Sequence, residues 1–212
     1  MRDKFRLGLF DDPYVSVEDA PKITGQNAFR LKGDEALRKS TVLLKNDNLL
    51  PSKKGTKVYA EGMLTPDDIN AYGVLVDSPE DADVIVTRIR TPFDPRSEYM
   101  LEQFFHQGRL YFNQEELDEI LSLIRRKPAI VVTNLERPAI LTEIDAEAGA
   151  MMADFGTTDK ILAELLFGEA TPTAKMPFEL PSSWEAVENQ YEDVPYDSKD
   201  PLYPFGHGLT YD

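Results

Sequence analysis

The chain has 212 residues, and its 38 Asp and Glu outnumber 23 Lys and Arg, for a formal net charge of −15. That imbalance excludes nucleic acid as the main partner, because each phosphate contact needs a cation, and it argues equally against an anionic membrane surface. With 42% apolar residues there is enough to fill a core, and with no Cys there are no disulfides, thiol nucleophiles or Cys-based metal sites. One domain with trailing segments is the expectation at this length. The longest apolar runs fall far short of the roughly 20 residues that span a bilayer. Residues 1–6 lack the apolar run of a signal peptide, which leads to the expectation of a cytoplasmic protein.

Residues 1–25 contain Gly8, Pro13, Pro21 and Gly25 and read as an irregular arm, with one apolar knot at Phe5, Leu7, Leu9 and Phe10. From Asn27 a helical pattern runs through Phe29, Ala36, Leu37, Val42, Leu43 and Leu44 until Asn46-Asp47-Asn48 and Pro51 stop it. Residues 57–60 form a strand. Thr65-Pro66-Asp67-Asp68 then opens a short helix with Thr65 as its cap. Strands follow at 73–76 and 83–89. Asn113-Gln114-Glu115-Glu116 has the spacing of a capping box and opens a helix with Leu117, Ile120, Leu121 and Ile124 on one stripe. Residues 129–133 are apolar on both faces, as in the middle of a parallel sheet. A short helix is expected over 138–144 and a strand over 148–154. Thr157 or Thr158 then caps a helix that Gly168 closes.

This alternation predicts a three-layer α/β/α sandwich with a mainly parallel sheet and right-handed connections. Three parts are expected: an arm at 1–25, the sandwich at 26–180 and a Pro-rich tail at 181–212 packed on it. Two regions break the rhythm, the tail and the stretch 90–112. A connection that long inside a compact domain is usually functional or mobile.

Open α/β sheets bind ligands at the carboxyl ends of their strands, yet no dinucleotide fingerprint, phosphate loop or Gly-x-Ser-x-Gly elbow occurs. Asp154-Phe155-Gly156 matches a kinase triplet without the loops that would give it meaning. His106 and His207 lack the spacing of a metal site, so no metal and no cofactor is expected. What remains is carboxylate chemistry. Residues 90–109 set Asp94, Glu98 and Glu102 among Phe93, Tyr99, Phe104, Phe105, His106, Arg90 and Arg109. Aromatic faces, acids and Arg side chains together suit a sugar, whose C–H faces stack on rings while its hydroxyls take charged partners. Taken singly, each acid is more simply a solvated surface charge.

Three motifs carry a resemblance. Lys175-Met176-Pro177-Phe178-Glu179-Leu180-Pro181 with Pro201-Leu202-Tyr203-Pro204-Phe205-Gly206-His207-Gly208-Leu209-Thr210-Tyr211 resembles the closing signature of family 3 glycoside hydrolases. Residues 36–46 with Leu49-Leu50-Pro51 resemble the helix that opens their second domain, and Arg6-Leu7-Gly8-Leu9-Phe10 resembles the connector out of their first. The resemblance implies a six-stranded sheet and a β-glucosidase- or β-xylosidase-like activity that removes single sugars with retention. It also implies that the nucleophilic Asp, usually in Ser-Asp-Trp, comes from a (β/α)8 barrel. Trp184 follows Ser183 directly here, and a barrel needs roughly 250 residues of its own, so the barrel is expected from another chain or from outside this sequence.

In such enzymes the second domain often supplies the general acid/base from a variable loop, here 90–112. By that likeness Glu102, beside Phe104-Phe105-His106, is the first candidate acid/base and Glu98 the second. Arg90, Asp94, Phe105, His106 and Arg109 are the candidate substrate-binding residues, with a β-linked glucoside or xyloside as substrate. The competing reading is a non-catalytic carbohydrate-binding or assembly module, with Phe5, Leu9 and Phe10 at a partner interface. A homo-oligomer is among the expected partners, and a stable oligomer with no response to sugar favours the module.

Overall fold

The computed structural model describes residues 1–211, which divide into two compact units, 1–36 and 37 onward. The first unit holds α1 (Arg2–Arg6), α2 (Ala20–Ile23) and the start of α3 (Asn27–Ser40), so the expected irregular arm contains two short helices. Phe5 and Phe10 do pair, with ring centroids 4.7 Å apart, but no residue of this unit is buried.

The second unit is a six-stranded mixed sheet with helices on both faces, as the alternation and the resemblance predict. Its strands are β1 (Val42–Asn46), β2 (Lys57–Glu61), β3 (Val74–Leu75), β4 (Val84–Arg90), β5 (Ala129–Asn134) and β6 (Ala150–Asp154), in the order β1-β6-β5-β4-β2-β3. All neighbours run parallel except β1, which pairs antiparallel with β6. Residues 42–44 therefore do not continue the helix before them. The helix stops at Ser40, and the Ser40 and Thr41 hydroxyls both bond the Leu37 carbonyl. Val42 and Leu44 then enter one core and Leu43 the other.

Strand alternation divides the apolar residues between two cores. Val131 of β5 packs with Leu121 and Ile124 of α4 (Gln114–Ile124) and with Ile144 of α5 (Thr142–Glu147). Ile130 and Val132 face Ile161, Leu162 and Leu165 of α6 (Asp159–Leu166) and Ile69 of the 3-10 helix Pro66–Ala71. Fully burying each such side chain stabilises by about 1.5–3 kcal/mol. Among the described residues no helix is long and apolar enough to cross a membrane.

Local signals account for most element ends. Asn113 accepts from the Glu116 amide while Glu116 accepts from the Asn113 amide, so α4 begins with the expected capping box. Replacing Asn113 with Ala is expected to lower stability by about 1 kcal/mol, measured as a shift in urea midpoint at constant slope. Thr158, rather than Thr157, caps α6. Gly168 closes it at φ +76°, a left-handed conformation that side chains disfavour. Thr65 makes no side-chain cap; its hydroxyl donates instead to Asp68 and Asp159, and the turn after it is 3-10.

The helix expected at 138–144 forms later, at Thr142–Glu147. Residues 138–141 stay outside it: the Ile140 amide bonds the Leu110 carbonyl (2.8 Å) rather than a helical partner, and Ala139 and Leu141 are fully buried.

The tail's two motifs clasp each other against β1. Met176 and Leu180 exchange backbone bonds with His207, Gly206, Tyr203 and Leu202, and the Leu209 amide bonds the Leu43 carbonyl (2.7 Å). His207 Nε2 lies 2.7 Å from the Leu44 carbonyl oxygen. Tyr203 donates to Asp145, Tyr211 donates to the Leu165 carbonyl (2.6 Å), and burial holds both phenols well above their usual range. A short helix, α7 (Trp184–Asn189), lies between the two motifs.

Candidate functional site

The chain leaves β2 for β3 on one side and returns to β4 on the other, so the direction of winding reverses between β2 and β4. Ligands of open α/β sheets bind in the crevice at such a switch point. A cleft of about 290 Å³ opens there, lined by Gly62 after β2, Arg88 and Arg90 of β4, Asn134 of β5, Glu136 after it, and Thr157 after β6. Gly62 sits at φ +73°, and a Cβ there would run into the Arg88 carbonyl. The turn can pass so close to β4 only as glycine.

The floor is a buried ion cluster. Arg88 donates from Nη1 to Asp159 (2.7 Å), from Nε and Nη2 to Asp154 (3.2 and 3.0 Å) and from Nη2 to the Thr157 carbonyl (2.8 Å). Two carboxylates face one guanidinium, and neutral donors satisfy the excess. Asp159 also accepts from the Leu64 and Thr65 amides, both at 2.7 Å. Asp154 accepts from the Asn134 side chain and from the Gly156 and Thr157 amides. With Asp154 fully buried and Asp159 almost so, these charge-assisted bonds offset the cost of desolvation. They also lock the turns after β2, β5 and β6 into one surface.

The rim is the segment 91–112. Its two limbs are joined at the base: the Asp94 amide bonds the Gln107 carbonyl, and the Asp94 carboxylate accepts from the Arg109 amide and pairs with the Arg109 side chain. Arg109 also makes a two-pronged bond to Glu116 (2.5 and 2.8 Å). The guanidinium holds the Glu116 carboxyl below the usual carboxylate range, and Glu116 in turn raises Arg109. A group lowered in the folded state stabilises above its unfolded value, and that stabilisation is lost as pH falls through the lowered one.

His106 stacks on Phe93 with centroids 3.8 Å apart and bonds through Nδ1 to Glu136, which tethers the rim to the cleft. Arg137 donates to the Gly108 carbonyl (2.7 Å).

The seven candidate residues thus fall into three groups. Arg90 alone lines the strand-end cleft and is solvent-exposed. Asp94, His106 and Arg109 sit in the rim's base, where their polar groups are engaged with protein partners. Glu98, Glu102 and Phe105 lie toward its tip. Glu102 is half-buried, accepts from the Tyr99 amide (3.0 Å) and shares a groove with Phe93 and Phe105. Phe104 and Phe105 are 70% and 65% exposed, so the two rings do not enclose it. Glu98 is exposed and makes no ion pair among the described residues.

Sequence reasoning passed over Arg88, Asn134, Glu136, Asp154 and Asp159. A signal was available: Arg88 and Asp154 are charges inside or ending otherwise apolar strands, positions where an unpaired charge is prohibitively costly.

Fold and site together define a doubly wound α/β domain with a polar strand-end cleft and a long rim beside it. Residues 70–211 match the family model described as the glycosyl hydrolase family 3 C-terminal domain. Over its whole length the chain is 39% identical to a periplasmic beta-glucosidase/beta-xylosidase of Dickeya chrysanthemi and 40% identical to a probable beta-glucosidase C of Aspergillus oryzae. A crystal structure of a beta-glucosidase from Listeria innocua in complex with gluconolactone shares the fold at TM-score 0.74 and 20% identity, over 98% of this chain and 37% of that one. The chain belongs to glycosyl hydrolase family 3, as its C-terminal domain. It spans about a third of the length of the curated relatives, 33% and 34% of the two named.

Proposed function

We propose that this chain serves a retaining, exo-acting β-glycosidase acting on β-linked glucosides or xylosides, and contributes the rim of the sugar site and its general acid/base. The observation that carries this reading is the placement of the 91–112 segment. It leaves β4 at the strand-end cleft, is tied back to that cleft through His106 and Glu136, and presents a half-buried carboxylate, Glu102, beside an aromatic groove. Asp94 is committed to Arg109, which leaves Glu102 and then Glu98 as the segment's available acids.

A retaining glycosidase needs two carboxyl groups about 5–5.5 Å apart, one as nucleophile and one as acid/base. In this assignment a (β/α)8 barrel supplies the nucleophile and the chain supplies the other. Arg90 and Glu136 meet sugar hydroxyls at the cleft. Asp94 and Arg109 position the segment, Phe105 borders its groove, and His106 stacks behind Phe93 of the same groove.

The chain alone is expected to leave an aryl β-glucoside uncleaved, and to gain turnover when combined with the barrel portion of a relative. Turnover by the isolated chain that disappears on replacing one of its own carboxylates would defeat the assignment. So would a barrel mixture that binds the chain without gaining activity.

A further inference from the structure

We propose a second saccharide site on this domain, in the cleft walled on one side by Trp184 and Tyr111, that takes one pyranose ring of a neutral sugar. A cleft of about 320 Å³, at the small end of ligand pockets, opens where the end of the rim, the starts of α4 and α5, and Ser182-Ser183 before α7 converge. It shares no lining residue with the strand-end cleft.

The two rings meet edge to face, with centroids 5.5 Å apart and an interplanar angle of 76°, and the Trp184 indole N–H is fixed by Glu188 (2.8 Å). Both rings are held in place yet remain about two-fifths exposed, at 38% and 42%. An aromatic surface of this kind suits the C–H face of a sugar.

Four polar groups around the rings are unused. The Tyr111 and Ser182 hydroxyls and the Glu143 carboxylate make no hydrogen bond among the described residues, and Gln114 spends its amide N–H on Asp118 and keeps its carbonyl oxygen. A purely apolar ligand would strip water from these groups without replacing it. A ligand bearing a carboxylate or phosphate would find no cation in the lining and would face Glu143. A polyhydroxylated neutral ring meets both conditions.

Trp184 is the only tryptophan in the chain, so its fluorescence reports on this cleft directly. Titrating the chain with cellobiose and with xylobiose is expected to give a saturable change in the millimolar range, and glucuronate none. Tyr111→Ala is expected to weaken binding roughly fivefold, the ratio that loss of one aromatic contact supports. Ser182→Ala, whose hydroxyl has no partner to lose, is expected to weaken it without changing the melting temperature. No saturable change overturns the proposal, and so does an equal response to glucuronate. A response kept in Tyr111→Ala but lost in Arg90→Ala places the sugar in the strand-end cleft instead; that result also overturns it, while leaving the proposed function standing.

Discussion

Glu102→Gln, tested in the enzyme assembled with a barrel, is expected to reduce kcat/KM on an alkyl β-glucoside by roughly 10²–10⁴, the range general acid catalysis supplies. An alkoxide is a poor leaving group and needs a proton as the glycosidic bond breaks. An activated aryl glucoside needs far less help, so the same variant is expected to retain much more of its glycosylation rate on that substrate. The contrast between the two substrates is what identifies an acid, since general damage to the rim would slow both alike. Glu98→Gln is the internal control: Glu98 is exposed and outside the Phe93 and Phe105 groove, so near-normal rates are expected. Reversed effects of the two variants would move the role to Glu98, and wild-type rates for both would remove it from this segment.

The largest effect on stability is expected at Arg88. Arg88→Met leaves the two buried carboxylates, Asp154 and Asp159, with no counter-charge at the floor of the cleft. Removing one partner of a buried ion pair costs about 3–5 kcal/mol, a large share of the roughly 5–15 kcal/mol that holds a domain folded. Denaturant midpoints measure it. Arg88→Lys keeps the charge but cannot span both carboxylates with a planar fork, so an intermediate loss is expected. Pairing Arg88→Met with Asp159→Asn should recover part of the deficit, because one stranded charge is removed. A loss below about 1 kcal/mol for Arg88→Met would mean that the neutral donors around them, backbone amides with Asn134 and Thr65, sustain the two carboxylates.

What could be read from the chain was local. Residues 129–133, apolar on both faces, do form a central parallel strand, and Asn113 and Glu116 do cap α4, because each signal needs only its own neighbours. β1 was misread because Val42, Leu43 and Leu44 continue the spacing of the helix before them. Their partner, β6, lies more than a hundred residues away, and no periodicity reveals it. The same distance hid the floor of the cleft. Asp154 and Asp159 lie 66 and 71 positions beyond Arg88 along the chain and meet it only after β4, β5 and β6 have aligned. For the rim, length and composition were legible, whereas the division of labour within it was not. Arg109 is occupied because the helix that Asn113 starts places Glu116 against it. Nothing in residues 90–109 alone announces that.

The seam between the tail and β1 bears on how the margins of the sheet are covered. An open sheet has two outer strands whose unpaired backbone groups can recruit another chain. Here β3, at one margin, is only two residues long. At the other margin Leu209 bonds Leu43 and His207 occupies the Leu44 carbonyl. The closing Gly206-His207-Gly208-Leu209 stretch is therefore a guard against strand-on-strand aggregation, whatever the domain does with sugars.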